Sequence, residues 1–131
     1  MNQLDQLKQF TTVVADTGDL ERIAELRPHD ATTNPSLLLA AARDERYRHL
    51  LDQARELARE LGHEGDLAWC NDAFACVAGQ AVLSHIPGLV STEVDARLSH
   101  RAIDGFADPP IHRAVRKKNP LLRSAVGDPP F

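Results

Sequence analysis

The chain has 131 residues, 43% hydrophobic and 26% charged, with a net charge of -4 at neutral pH. These values fit one globular soluble domain and supply no bulk attraction to nucleic acid or an anionic membrane. Residues 1–10 (MNQLDQLKQF) lack the basic start and apolar run of a signal peptide, and no window approaches the ~18 apolar residues of a membrane span, so a cytoplasmic protein is expected.

Leu4, Leu7 and Phe10 predict a short amphipathic helix leading into Thr11-Thr12-Val13-Val14-Ala15-Asp16, a β-branched run stopped by Thr17-Gly18-Asp19. Alternation along this first strand sends Thr12, Val14 and Asp16 to one face. An acid at the carboxyl end of a strand is placed either to face a pocket or to make a turn or cap, and both readings stand for Asp16. Asp19 reads as the N-cap of a helix over Leu20 to Leu26, ended by Arg27-Pro28.

Asp30-Ala31-Thr32-Thr33 then gives a second short strand. Asn34-Pro35 breaks it, because proline pushes the residue before it out of the helical region, and a helix is expected from Ser36. This is a βα junction with Asp30, Thr32 and Asn34 on one face and an amide at the carboxyl end. Such strand ends are where α/β folds keep their sites, although Asn34 as a plain helix cap is the simpler use of the same residue.

A long helix is expected from Asp44 to Leu61, stopped by Gly62. Tyr47, Leu50, Leu51, Ala54, Leu57, Ala58 and Leu61 form its apolar stripe, and Arg, Asp, Glu and Gln form a solvated face. A second, about Leu67 to Ile86, buries Cys70, Ala73, Phe74, Val77, Ala78, Ala81 and Val82 and stops at Pro87-Gly88, with Trp69 as core or rim packing. Cys70 and Cys76 are separated along this helix by a rise of about 9 Å. That exceeds the ~7 Å Cα limit for a disulfide, so both are expected to be reduced packing residues. Leu89 to Asp95 gives a third strand with Ser91, Glu93 and Asp95 on one face and Val90, Thr92 and Val94 on the other. In a parallel sheet covered by helices the acids would face an interior, where a carboxylate needs a function or a partner. Arg97 is an available ion-pair partner.

Three strand-end motifs thus stand in order: Thr11-Thr-Val-Val-Ala-Asp-Thr-Gly18, Asp30-Ala-Thr-Thr-Asn-Pro-Ser-Leu-Leu38 and Ser91-Thr-Glu-Val-Asp-Ala-Arg-Leu98. Together they resemble the amino-terminal part of transaldolase, over about residues 4 to 100. The resemblance implies an α/β fold, the first three strands and associated helices of a (β/α)8 TIM barrel that is left incomplete. It also implies transfer of a dihydroxyacetone unit between sugar phosphates in the pentose phosphate pathway, from sedoheptulose 7-phosphate to glyceraldehyde 3-phosphate. The family works through a lysine Schiff base, without metal or organic cofactor. Carried over by position, Asp16 resembles the acid/base that handles the proton of the hydroxyl at the cleaved carbon–carbon bond. Asn34 resembles a residue that hydrogen-bonds the dihydroxyacetone portion. Glu93 resembles the carboxylate that moves protons through a water while the Schiff base forms and breaks. Imine formation and aldol cleavage each need a proton moved at a particular atom, so two carboxylates suit the chemistry.

The likeness ends near residue 100. The family's fourth strand carries the nucleophilic lysine in a run like Ile-Leu-Ile-Lys-Leu-Ala-Ser-Thr, and this chain has no such run. Its lysines are Lys8, Lys117 and Lys118, none of them in an apolar strand pattern. Residues 101–131 hold five of the eight prolines and six Lys/Arg against three Asp/Glu, a net +3, whereas residues 1–100 carry -7. The expected organisation is a partial barrel over residues 1–100 and a divergent, irregular tail over 101–131, produced by a frameshift, a premature end or a gene-prediction error. Arg113, Arg116, Lys117 and Lys118 have no interleaved aromatics, so a solvated tail is favoured over a nucleic-acid patch. Sugar phosphates are the expected partners, with self-association of the incomplete barrel, and the chain alone is expected to be inactive. The alternative, from a different class, is a non-catalytic fragment acting at most as a binding or interaction module, by pairing with a separately made second half. An acidic helical adaptor would explain the solvated helix but not Asp16, Asn34 and Glu93 at strand ends.

Overall fold

The computed structural model describes residues 2–92 and the backbone of residues 122–124. In chain order the elements are α1 (Gln3–Leu7), β1 (Val14–Asp16), α2 (Leu20–Leu26), β2 (Asp30–Thr33), α3 (Pro35–Arg43), a 3-10 turn (Glu45–Tyr47), α4 (Arg48–Glu60), α5 (Leu67–Leu83), β3 (Val90–Thr92) and β4 (Leu122–Ser124). The four strands form one parallel sheet in the order β1-β2-β3-β4. Parallel neighbours cannot be joined by a hairpin, so α2 carries the chain from β1 to β2, and α3, α4 and α5 carry it from β2 to β3. This is an α/β arrangement consistent with the opening βα units of a TIM barrel.

Local chemistry sets the boundaries. Asp19 caps α2 by accepting the N–H groups of Glu21 and Arg22 at 3.0 and 3.2 Å, and Asp66 does the same for Ala68 and Trp69 at the start of α5. α2 ends on Arg27 in the left-handed region, at φ 45°. Gly62, at φ 80°, follows α4, where the left-handed turn suits a residue without Cβ. The register pairs Ala31 with Val90 and Thr33 with Thr92, and all four are buried. They form the sheet face that meets the helices. The alternate residues Asp30, Thr32, Leu89 and Ser91 are half-buried on the other face, which matches the alternation expected from sequence.

The core is built around α5. Ala73 through Gly79 are all buried, so this helix is enclosed on every side, whereas α4 buries only the stripe Leu50, Ala54 and Ala58 and leaves its charged face in water. Ile23, Tyr47, Cys76, Val82 and Val90 complete the same cluster. Cys70 and Cys76 are both reduced, the first half-buried and the second buried. Trp69 is rim packing, its ring stacked on His63 at 3.5 Å between centroids.

Four expectations need correction. The amino-terminal helix is only five residues long and buries nothing; Phe10 lies beyond it and is 86% exposed. One helical turn and a half presents too little surface to form an apolar stripe. The helix expected from Asp44 starts instead as a 3-10 turn, because Asp44 is itself a cap, its Oδ1 accepting the N–H of Arg46 at 2.9 Å. α5 stops at Leu83, three residues before Ile86, closing with the N–H of His85 on the carbonyl of Val82. Finally, Leu122–Ser124, in the stretch expected to be irregular, is a strand paired with β3, Val90 opposite Leu122 and Thr92 opposite Ser124.

Candidate active site

The candidate site lies at the carboxyl ends of β1 and β2. Asp16 is the last residue of β1 and pairs in register with Thr32, which pairs in turn with Ser91 on β3. Because the register is parallel and all three occupy alternate positions, they form one row across the face opposite the helices. Within the row, Thr32 donates its hydroxyl to Oδ1 of the exposed Asp16 at 3.0 Å. That contact fixes one carboxylate oxygen and leaves the other to meet a ligand. Asn34 is extended (φ -140°, ψ 166°) and continues the alternation one step beyond Thr32.

Asn34 also caps α3. Its Oδ1 accepts the N–H of Leu37 at 3.0 Å, and Pro35 stands at the first helical position, one residue earlier than the sequence indicates. The simpler of the two roles for Asn34 is therefore realised, and it engages the amide oxygen. The NH2 group is the part of the side chain suited to donating to a ligand.

The loop after β1 is held against the same helix. A Cβ on Gly18 would stand 2.7 Å from the carbonyl oxygen of Leu37, so only glycine permits this approach. The N–H of Asp19 bonds Thr17 Oγ1 at 3.1 Å, while the Tyr47 hydroxyl donates to Asp19 Oδ1 and accepts the N–H of Leu20, both at 3.2 Å. The backbone N–H of Arg22, with help from the Tyr47 hydroxyl, holds the Asp19 carboxyl below its ordinary range, and burial pushes the Tyr47 phenol up. Arg46 braces the loop from outside by contacting Asp44 and Glu21 and lying over the Tyr47 ring at 5.1 Å. A cleft of ≈ 210 Å³ remains between this loop and α3. Asp19 is thus a scaffold acid, and so is Asp30. The N–H of Leu89 bonds Asp30 Oδ1 at 2.9 Å and the His29 ring lies 2.8 Å from the same oxygen. The Leu89 bond, more than the imidazole, keeps Asp30 below the ordinary carboxylate range.

The structure brings Asp16 and Asn34 to neighbouring strand ends, while Glu93, Asp95 and Arg97 lie outside the described residues. The sequence reading singled out neither Thr32, which orients Asp16, nor Ser91 beside it. Their signal was available in the alternation, which puts both on the site face. Lys8 is distant in the fold, donating to the carbonyl of Leu26 at the end of α2, and Lys117 and Lys118 are outside the described residues. Arg123 of β4 is in register with Ser91. Among the described residues no group of three or more His, Cys, Asp or Glu is arranged to hold a metal ion, and no helix is long and apolar enough to cross a membrane.

Comparison with known proteins adds an independent line. A family model described as Transaldolase/Fructose-6-phosphate aldolase matches residues 13–108. Transaldolase 2 of Salmonella choleraesuis (strain SC-B67) is 55% identical over 101 residues, covering 76% of this chain and 32% of that protein. Transaldolase of Bos taurus is 55% identical over 100 residues, covering 75% of this chain and 30% of the relative. That of Methylomonas aminofaciens is 53% identical over 102 residues, covering 75% and 32%. The chain spans about a third of the length of the curated relatives it matches.

Proposed function

The chain belongs to the transaldolase/fructose-6-phosphate aldolase family, and on that premise we propose that its strand ends are the proton-handling portion of a site for dihydroxyacetone transfer between sugar phosphates in carbohydrate metabolism. The observation that carries the reading is the Thr32–Asp16 hydrogen bond at the carboxyl end of the sheet. With Oδ1 held, the free oxygen of Asp16 takes the proton from the hydroxyl on the carbon being released, and the electrons of the breaking carbon–carbon bond pass into an iminium formed at the neighbouring ketose carbon. The Asn34 NH2 donates to the hydroxyls of the dihydroxyacetone unit. Glu93 carries protons through a water as the imine forms and hydrolyses.

The nucleophile is the part this chain lacks. Lys8 is tied to the end of α2. The strand beside β3 carries Arg123, and a guanidinium stays protonated at any working pH and cannot add to a carbonyl. Lys117 and Lys118 sit in Arg116-Lys-Lys-Asn-Pro120, too polar a run to desolvate an ammonium group. Residues beyond 108, where the family match ends, are therefore assigned outside the family's catalytic design, and the chain by itself forms no Schiff base and turns nothing over. A second reading, a non-catalytic module that pairs with a separately made remainder of the barrel, is favoured by the same missing lysine.

The test is to incubate the purified chain with fructose 6-phosphate and borohydride and map any covalent adduct by peptide mass. No adduct is expected. A chimera in which the remainder of the Salmonella relative follows β3 is expected to form one and to turn over. In it, Asp16→Asn is expected to lower cleavage by about 10²-fold while trapping of the imine persists. A stoichiometric adduct at Lys117 or Lys118 of the unaltered chain, lost on substituting that lysine, would overturn the proposal.

A further inference from the structure

The opposite, amino end of the strands carries a second cleft, of ≈ 290 Å³. It is lined by Lys8 just past α1, Thr11 and Thr12 leading into β1, Arg27 and His29 leading into β2, and Pro87 ahead of β3. Lys8, Arg27 and His29 bring three nitrogen bases to its lining and Thr11 and Thr12 two hydroxyls, and among the described residues no carboxylate lines it. On the helix surfaces the pattern is different: Arg22, Arg46, Arg48, Arg55 and Arg59 each lie within ion-pair distance of an Asp or Glu. Among the described residues neither Lys8 nor Arg27 has such a partner.

The contacts that do exist position these groups without neutralising them. Lys8 donates to the Leu26 carbonyl, a neutral acceptor, which leaves the ammonium two further N–H groups. Arg27 takes a left-handed backbone at φ 45°, a conformation that strains a residue with a side chain and that glycine adopts freely. An arginine there gains nothing from the turn itself. Asp30, beside His29 in sequence, has its Oδ1 already serving the Leu89 N–H and the His29 Nδ1. That bond holds the imidazole ring and leaves Nε2 as its second hydrogen-bonding atom. Lys8 and Arg27 give the lining residues a net positive charge.

We propose that this cleft binds a small phosphate-type dianion. An ammonium point charge, a guanidinium fork able to take two oxygens and two threonine hydroxyls are the donor set that a tetrahedral dianion requires, and the volume admits the phosphate group with a small organic substituent. The site stands at the other end of the sheet from Asp16 and Asn34, and its occupancy does not depend on the catalytic reading.

The experiment titrates inorganic phosphate into the full chain at constant ionic strength made up with chloride, following backbone amides by NMR. Saturable shifts are expected at Thr11, Thr12, Arg27 and His29. Arg27→Gly removes the guanidinium where glycine suits the backbone, and Lys8→Met keeps the aliphatic stem. Each is expected to weaken binding at least ~10-fold, with Arg55→Gln on α4 leaving it unchanged. As a second measurement, phosphate is expected to raise the unfolding midpoint of the unaltered chain but not of Arg27→Gly, since a ligand stabilises only the state that binds it. Shifts that never saturate, that survive both cleft substitutions, or that Arg55→Gln weakens equally would overturn the proposal and assign the effect to general charge.

Discussion

At the scale of single residues, three acids near the strand ends separate by what their oxygens hold. Asp19 accepts two backbone N–H groups and the Tyr47 hydroxyl, and Asp30 accepts the N–H of Leu89 and contacts His29. Such fixed partners make a carboxylate part of the scaffold. Asp16 instead holds one threonine hydroxyl and is open to solvent, which is the arrangement a proton-transfer group needs. The scaffold role of Asp30 has a pH signature. Its folded pKa lies below the ordinary value, so ionised Asp30 contributes stability that is present above the unfolded value of about 3.9 and is lost as pH falls through the folded value. In urea unfolding, the unaltered chain is expected to exceed Asp30→Asn by about 1 kcal/mol near neutral pH, and this gap is expected to shrink on acidification below about pH 4. A gap that widens in acid would show that the charge of Asp30 is not what ties β2 to β3.

At the scale of elements, the site depends on the β1–α2 loop resting on the first turn of α3. Gly18→Ala puts a Cβ 2.7 Å from the Leu37 carbonyl oxygen, a backbone atom that cannot rotate away, so the loop or the helix must move. A loss of about 1–3 kcal/mol is expected, and because the N–H of Leu37 bonds Asn34, the Asn34 side-chain resonances should shift in an NMR spectrum. Unchanged Asn34 signals would mean that loop and cap are independent. Much of this level is legible in sequence. Asp19 announces α2, Asn34-Pro35 announces α3, and two-residue alternation assigns Asp16, Thr32 and Ser91 to one face. What alternation does not give is pairing, so that Thr32 bonds Asp16 rather than a neighbour on β3 follows only from the strand register. The 3-10 start before α4 was hidden because a capping Asp44 announces a helix without telling whether its first turn is α or 3-10. β4 was hidden because a three-residue strand between polar, proline-rich stretches has no periodicity to detect.

For the molecule as a whole, the sheet order makes β1 an outer strand of the described sheet. The outer strands of a sheet offer unpaired N–H and C=O groups, and proteins usually guard them with lysine, proline or a bulge. β1 is Val14-Ala15-Asp16, without lysine or proline and with its single charge at the carboxyl end, and apolar side chains lie exposed on and near it: Val14 at 52%, Leu7 at 50% and Phe10 at 86%. The chain spans about a third of its relatives, so partners that close this edge in a complete barrel lie in sequence it does not share with them. Two copies can satisfy the edge by pairing their β1 strands antiparallel about a two-fold axis, which sets Asp16 of one copy away from Asp16 of the other and adds no like-charge clash. Concentration-dependent association is therefore expected in sedimentation velocity. Val14→Lys places a charge on the edge strand and Phe10→Glu removes the largest exposed apolar group. Together they are expected to shift the chain to monomer while its far-UV circular dichroism stays the same. A chain that sediments as a monomer at every concentration, with or without the two substitutions, would show that the β1 edge is not an associating surface.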